Sequence, residues 1–227
     1  PRPGEGLLMS QQLSIKAPFS GVLVPLDTVP DPVFSQKMVG DGIAIDPTSE
    51  VLLAPCAGTV VQMHPAGHAV TVRSSEGLEI LVHIGIDTVK LKGEGFEPLV
   101  QVGQTVEQGD NLIKFSADIL ARKAKSLLSM VIFTNEELIH KLTFSDGLVQ
   151  TGSDEIASVE LSADEEDEDA GQEKEFVSET IIIPNPTGLH ARPSAVLANL
   201  CKRFDAKVQL QKGSERANAR SVVGIMG

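Results

Sequence analysis

LEILVHIGID, at residues 78–87, is the stretch that decides the fold of the first part of the chain. Its opening apolar run is typical of a buried β-strand, and the strand leads into His83. A second apolar run, Ala69–Val72, directly follows His68, and the polar residues 74–77 separate the two runs. If residues 74–77 close a hairpin, the far ends of the two strands meet. The sequence therefore predicts a pair of imidazoles at one end of a β-hairpin.

Short apolar runs of the same kind recur from about residue 13 to residue 150, with glycine and proline between them. This spacing predicts an all-β antiparallel sandwich or barrel. Residues 102–110 predict a tight hairpin whose glycines permit positive φ, and only residues 117–128 look helical. Further strands are predicted at Gly21–Pro25, Val51–Pro55 and Gly58–Val61.

The pattern changes at residue 176. Residues 176–183 predict a strand, residues 191–204 an amphipathic helix, and residues 206–211 and 216–219 two more strands. Ser221 then suits the N-cap of a second helix. These signals predict an α+β open-faced sandwich. Because so short a segment buries little surface, we expect the chain to stop inside this domain.

Charge is distributed unevenly over the 227 residues, whose net charge is −12. Residues 151–175 hold eleven acidic groups and a single basic one, which predicts an extended flexible linker in which the charge acts as a spacer. The acidic balance argues against a nucleic-acid partner. The predicted organisation is a tail at 1–12, a first domain at 13–150, the acidic linker at 151–175 and an incomplete domain at 176–227.

Cysteine usage and hydropathy indicate the compartment. Cys56 and Cys201 fall in different predicted domains and form no metal-type pair, which favours a reducing environment. No apolar run has membrane-spanning length, and no signal-peptide pattern opens the chain. The sequence therefore predicts a cytoplasmic protein.

GLHARPS, at residues 188–194, places another histidine at the start of a helix. Pro193 fits the first helical turn, so His190 lies near the N-cap. There, free N–H groups and the guanidinium of Arg192 would stabilise a phosphate carried by the imidazole. A histidine that only caps the helix is the alternative. The adjacent arginine and the prolines of the segment favour a phosphohistidine.

The predicted imidazole pair has two chemical uses. One imidazole could attack a phosphoryl group while the other donates a hydrogen bond to it, with Asp87 orienting a ring N–H. Alternatively, His68 and His83 could share a zinc ion, although they are weak candidates for metal ligands. His64 and His140 show no supporting pattern and are predicted to lie on the surface.

Several motifs give both parts of the chain a family resemblance. In the first part these are VGDGIAI at 39–45, the two paired histidines, HIGIDTV at 83–89 and LKGEGF at 91–96. Over about residues 13–145 they resemble the glucose-type IIA domain of the bacterial phosphoenolpyruvate:sugar phosphotransferase system. GLHARP at 188–193 resembles the phosphorylation site of HPr, the carrier protein of that system. This order of domains resembles multiphosphoryl transfer proteins, in which enzyme I follows HPr.

The resemblance implies a phosphotransferase that relays a phosphoryl group from phosphoenolpyruvate. Enzyme I would phosphorylate His190 at Nδ1, and His83 would receive the phosphate at Nε2 with assistance from His68. The phosphate would then pass to a IIB domain of a sugar permease. The implied partners are therefore enzyme I and the IIB domain, with indirect membrane association through the permease and no cofactor.

Two details of the resemblance concern regulation and docking. Ser221 falls where some HPr relatives carry a regulatory serine phosphate, although a helix cap is the preferred interpretation. Relatives have a phenylalanine-rich patch around the paired histidines. Here Phe34 is retained, whereas His64, Val70 and Leu81 are not phenylalanines. Docking surfaces are therefore expected to differ.

Two other function classes remain as alternatives. One is a regulatory binding protein whose phosphorylation state selects its partners. The other is a zinc hydrolase, because His83 and Asp87 have metal-ligand spacing. An H-x-H pair and a secretion signal, which would support the hydrolase, are missing from the sequence.

Overall fold

The computed structural model describes residues 11–162, 176–183, 189, 191–201, 203–204, 206–213 and 215–226. We call the residues up to 162 the first region and those from 176 the second region. His190 and linker residues 163–175 lie outside the described residues. The strands are β1 Gln12–Lys16, β2 Gly21–Pro25, β3 Asp41–Pro47, β4 Val51–Leu53, β5 Gly58–Met63, β6 Ala69–Arg73, β7 Glu79–His83, β8 Phe96–Pro98, β9 Thr105–Val106, β10 Asn111–Phe115, β11 Ser129–Phe133, β12 Ile139–Phe144, β13 Leu148–Val149, β14 Glu155–Leu161, β15 Gln209–Lys212 and β16 Glu215–Asn218, and the helices are α1 Pro32–Ser35, α2 Ala117–Lys123, α3 Ala191–Cys201 and α4 Val222–Met226.

The first region consists mostly of antiparallel β-sheet, as predicted. Its largest sheet has the strand order β13-β2-β3-β11-β7-β6-β5-β9, and two three-stranded sheets have the orders β1-β14-β12 and β4-β10-β8. One apolar core receives side chains from all three sheets, for example Ile15 of β1, Ile45 of β3 and Ile113 of β10. Every member of this core lies in the first region.

The β6–β7 hairpin confirms the prediction on which the site depends. The two strands pair antiparallel, with Ala69 opposite His83. The turn is closed because Ser74 N–H donates to the carbonyl oxygen of Leu78 at 2.9 Å and Gly77 N–H donates to that of Ser74 at 3.1 Å. Gly77 has a φ of +89°, which glycine adopts without strain. The far end of the hairpin therefore brings the residue before β6 next to the end of β7.

Three local predictions are corrected. The linker does not begin at residue 151, because β14 pairs with β1 and β12 and extends the first region to residue 161. Residues 102–110 do not form the predicted hairpin. Gly103 and Gly109 have positive φ as expected, but β9 between them pairs with β5. Helix α2 ends at Lys123 instead of residue 128.

The second region contains α3, the β15–β16 hairpin and α4. Ser221 caps α4 as predicted, because its Oγ accepts from Gly224 N–H at 3.0 Å. The predicted strand at 176–183 is wrong: these residues form no strand, and Phe176 is 87% exposed. A strand needs a partner for its backbone groups, and none of the described strands pairs with this segment.

Candidate functional site

The ends of β6 and β7 bring His68 and His83 together, as the hairpin predicted. Their ring centroids lie 4.9 Å apart with an interplanar angle of 67°. The backbone fixes this arrangement, because Ile84 N–H donates to the carbonyl oxygen of His68 at 2.8 Å. His68 is buried, whereas His83 remains half-buried at the strand end. The pair thus combines one enclosed imidazole with one that is partly open.

A backbone carbonyl orients the ring of His83. Nδ1–H of His83 donates to the carbonyl oxygen of Gly85 at 2.9 Å, so the neutral ring keeps its lone pair on Nε2. Gly85 has a φ of +69°, and a Cβ there would lie 2.7 Å from Cγ2 of Thr88. Only glycine suits this turn. Asp87, which the sequence suggested as the orienting group, forms an ion pair with Lys90 at 2.9 Å.

Both imidazoles are held neutral by their surroundings. Burial lowers the pKa of His83 from 6.5 to about 4, against the opposing effects of the Gly85 carbonyl and the charge of Asp31. Burial, followed by the proximity of His83 and His64, lowers the pKa of His68 from 6.5 to about 2. A neutral imidazole has the free lone pair that a nucleophile needs. At neutral pH, Nε2 of His83 is therefore available to attack an electrophilic phosphorus.

Two further rings surround the pair. Phe34, on α1, lies 5.3 Å from the ring of His83 between centroids. His64, which the sequence placed on the surface, is half-buried, and its ring centroid lies 4.1 Å from that of His68, so it belongs to the site. His64 and His68 are four residues apart, across a tight turn that contains Gly67, and this spacing could have indicated that the two rings meet. His140 is exposed, as predicted.

The second region packs on the surface around His83. Both cross-strand neighbours of His83, Ala69 on β6 and Met130 on β11, belong to one buried apolar cluster with Ala195 and Ala198 of α3. Phe34, Leu81, Val222 and Ile225 belong to the same cluster, which we call the shared cluster.

A polar contact adds to the shared cluster. Nδ2 of Asn199, on α3, donates to the carbonyl oxygen of Met38 at 2.9 Å. Arg192 lies in the first turn of the same helix, as the helix predicted from residue 191 requires. Helix α3 begins one residue after His190.

Two further features of the described residues concern metal ligation and membrane insertion. In that part of the chain, no group of three or more histidine, cysteine, aspartate or glutamate side chains is arranged to hold a metal ion. None of the helices within the described ranges has the length and apolar character needed to cross a bilayer.

Comparison with known proteins finds the same two parts. Residues 13–139 match the family described as phosphoenolpyruvate-dependent sugar phosphotransferase system, EIIA 1. Residues 177–227 match the family described as PTS HPr component phosphorylation site. The two matched ranges correspond to the first and second regions of the structure.

Relatives and a solved structure agree with the first match. The PTS system glucose-specific EIIA component of Bacillus cereus is 41% identical over 149 residues, which cover 65% of this chain and 90% of that protein. The component of the same name from Staphylococcus aureus is 39% identical over 160 residues, covering 70% and 96%. The solved glucose permease IIA from Mycoplasma capricolum has a TM-score of 0.62 and 39% identity, covering 65% of this chain and 96% of its own.

These matches identify the imidazole pair as part of a phosphate-carrying domain. The EIIA match covers more than half of the chain, and the HPr match adds a second component of the same system. The chain therefore belongs to the EIIA family of the phosphoenolpyruvate-dependent sugar phosphotransferase system and, with its HPr component, is a phosphohistidine carrier of the phosphoryl relay.

Proposed function

We propose that the phosphoryl group moves within one chain, from His190 to His83, and then to a IIB domain of a sugar permease. The observation that carries this proposal is the shared cluster. It joins both cross-strand neighbours of His83 to buried residues of α3, the helix that begins directly after His190. Docking through this cluster brings the donor helix to the face that carries the acceptor.

The transfer step needs no proton from another group. Nε2 of neutral His83 attacks phosphorus while the bond from phosphorus to the nitrogen of His190 breaks, and the bonding electron pair returns to His190. The proton on Nδ1 of His83 stays on the ring throughout and is donated to the Gly85 carbonyl oxygen, and this hydrogen bond stabilises the positive charge that develops on the ring. In the onward step to the IIB domain, His68 donates a hydrogen bond to the moving phosphoryl group. Arg192 pairs with the phosphate on His190.

The proposed relay also has a phosphate donor, a cellular compartment and a fold for the second region. Enzyme I supplies the phosphate from phosphoenolpyruvate to Nδ1 of His190, and no other cofactor takes part. We place the relay in the cytoplasm, because both cysteines are free thiols, as expected in a reducing compartment. We also propose that the second region belongs to an α+β open-faced sandwich, to which its two helices and its hairpin would contribute.

Phosphopeptide mapping tests the order of transfer. The full-length protein is incubated with enzyme I and labelled phosphoenolpyruvate, and we expect acid-labile phosphate on both His190 and His83. His190→Ala should abolish both labels, and free HPr should restore the label on His83. His83→Gln should keep the label on His190 and lose the other. Labelling of His83 by enzyme I alone in the His190→Ala protein would disprove the relay order.

A further inference from the structure

A third imidazole, that of His64, packs directly against His68. The ring centroids lie 4.1 Å apart, closer than the 4.9 Å between His68 and His83. Phe96 contributes another ring, 6.1 Å from that of His68. The buried imidazole of the pair therefore lies among aromatic rings, with His64 as its nearest ring neighbour.

The two imidazoles of the pair are held in different ways. A hydrogen bond from Nδ1 to the Gly85 carbonyl fixes the rotation of the His83 ring. Nδ1 of His68 is buried and has no hydrogen-bond partner among the described residues, although the side chain is only 2% exposed. The orientation of the His68 ring must therefore be fixed by the side chains that pack against it. Of the three rings around it, that of His64 lies closest.

The turn that carries His64 makes that surface rigid. His64 N–H donates to the Ala69 carbonyl at 2.9 Å, and the His64 carbonyl accepts from Gly67 N–H at 2.7 Å. Nδ1 of the His64 ring accepts from Ala66 N–H at 3.1 Å, which anchors the ring to its own turn. Gly67 has a φ of +68°. The His64 ring is thus fixed to the backbone between β5 and β6.

We propose that His64 is a positioning residue for phosphoryl transfer. Its anchored ring holds the His68 imidazole in the rotation that directs it toward the phosphoryl group on His83. This inference rests on the proposed function of His68 and His83. A misplacement of about 1 Å in a catalytic group costs on the order of a hundredfold in rate, so removal of the ring should affect catalysis more than folding.

The test measures onward transfer from the phosphorylated full-length chain to a purified IIB domain. We expect His64→Ala to lower kcat by roughly tenfold to a hundredfold and to leave KM nearly unchanged. His64→Phe keeps a ring of similar width and should restore most of the rate. His140→Ala removes an exposed histidine far along the chain and should behave as wild type. Equal slowing by His64→Phe and His64→Ala would overturn the positioning role, because the imidazole itself would then be required.

A double-mutant comparison separates positioning of His68 from a general structural effect. In a His68→Gln background, His64→Ala should cause no further loss of kcat, because the ring that it positions is gone. Fully additive losses would contradict the inference, and His64→Phe keeps the test valid if His64→Ala fails to fold. If phosphate never reaches His83 in the wild-type chain, the proposed function fails. If it does and His64→Ala transfers normally, only the role of His64 fails.

Discussion

Two apolar clusters distinguish the two regions of the molecule. The core of the first region draws all its members from residues 13–161, and the sheets that enclose it also carry the site. In the second region, Ala195, Ala198, Val222 and Ile225 are buried, but they lie in the cluster shared with the surface around His83. The acceptor site is thus built by a self-contained fold. The placement of the donor helix depends on a contact between regions.

This difference separates two kinds of perturbation. Changes at the imidazole pair should alter transfer whether the donor is tethered or added free. Changes in the part of the shared cluster that α3 contributes should alter only transfer from the tethered donor.

His68→Gln should leave phosphate acceptance by His83 intact and slow transfer to the IIB domain. Loss of one hydrogen-bond donor that stabilises a transition state costs on the order of 10²–10³ in rate. The single-turnover rate to IIB measures this, with phosphate loaded from the tethered donor or from free HPr. The slowing should be the same for both routes of loading. A large difference between them would show that the first region does not build the site alone.

Ala198→Asp should uncouple the tethered donor. Ala198 is 1% exposed in the shared cluster, so a carboxylate there must be buried without a partner or force the contact open. We expect transfer from His190 to His83 within the chain to slow by about tenfold or more, because tethered groups lose their advantage when the docked geometry is lost.

The matched control lies on the same helix. Val196 is 53% exposed, so Val196→Asp adds the same charge to α3 without burial. It should leave intramolecular transfer nearly unchanged. Free HPr should phosphorylate His83 at the wild-type rate in both variants. If Ala198→Asp transfers like Val196→Asp, the shared cluster does not guide the relay.

The sequence predicted those parts of the site that depend on local pattern. The β6–β7 hairpin follows from two apolar runs and a polar turn, and the neighbouring positions of His68 and His83 follow from the hairpin. The role of the Gly85 carbonyl was missed, because a backbone oxygen has no identity in the sequence. His64 was missed because its packing depends on the exact path of a four-residue turn.

The errors in the fold have a similar physical origin. Residues 155–161 were included in the linker because acidic residues surround them, yet Ile156, Ala157 and Val159 are fully buried. Here burial against β1 and β12 outweighs the acidic composition. At 176–183 the apolar pattern suggested a strand. Strand formation also needs a neighbouring backbone, which local pattern does not supply.

The stability of the first region should fall as the pH drops below neutrality. The pKa of folded His68 is lowered to about 2, whereas the unfolded chain has the ordinary value of 6.5. Below about pH 6.5 the unfolded state therefore binds a proton that the folded state excludes, and stability is lost as the pH falls toward 2.

Denaturant unfolding of the wild type and of His68→Gln measures this contribution. When the unfolded state binds one proton more than the folded state, the free energy of unfolding falls by roughly 1.4 kcal/mol for each unit by which the pH drops. Between pH 6 and 5, we therefore expect the wild type to lose about 1 kcal/mol more than His68→Gln. His140→Gln, a substitution at an exposed position, should follow the wild type. Parallel pH profiles for the wild type and His68→Gln would show that His68 is protonated in the folded state.

Changes in the linker should have the smallest effect. The shared cluster guides the donor to the acceptor, whereas the linker only has to be long enough for the donor to reach it. A flexible chain as long as residues 163–175 spans roughly 18–22 Å, and like charges extend it. Such a tether keeps the donor at an effective concentration of order millimolar. Replacing Asp164–Asp169 with serine and glycine should therefore change intramolecular transfer by less than about twofold, and the rate should not depend on protein concentration.

An equimolar mixture of His83→Gln and His190→Ala chains supplies the control, since transfer in it must occur between molecules. If this mixture at micromolar concentration transfers as fast as the intact chain, the tether confers no advantage and the intramolecular relay is wrong.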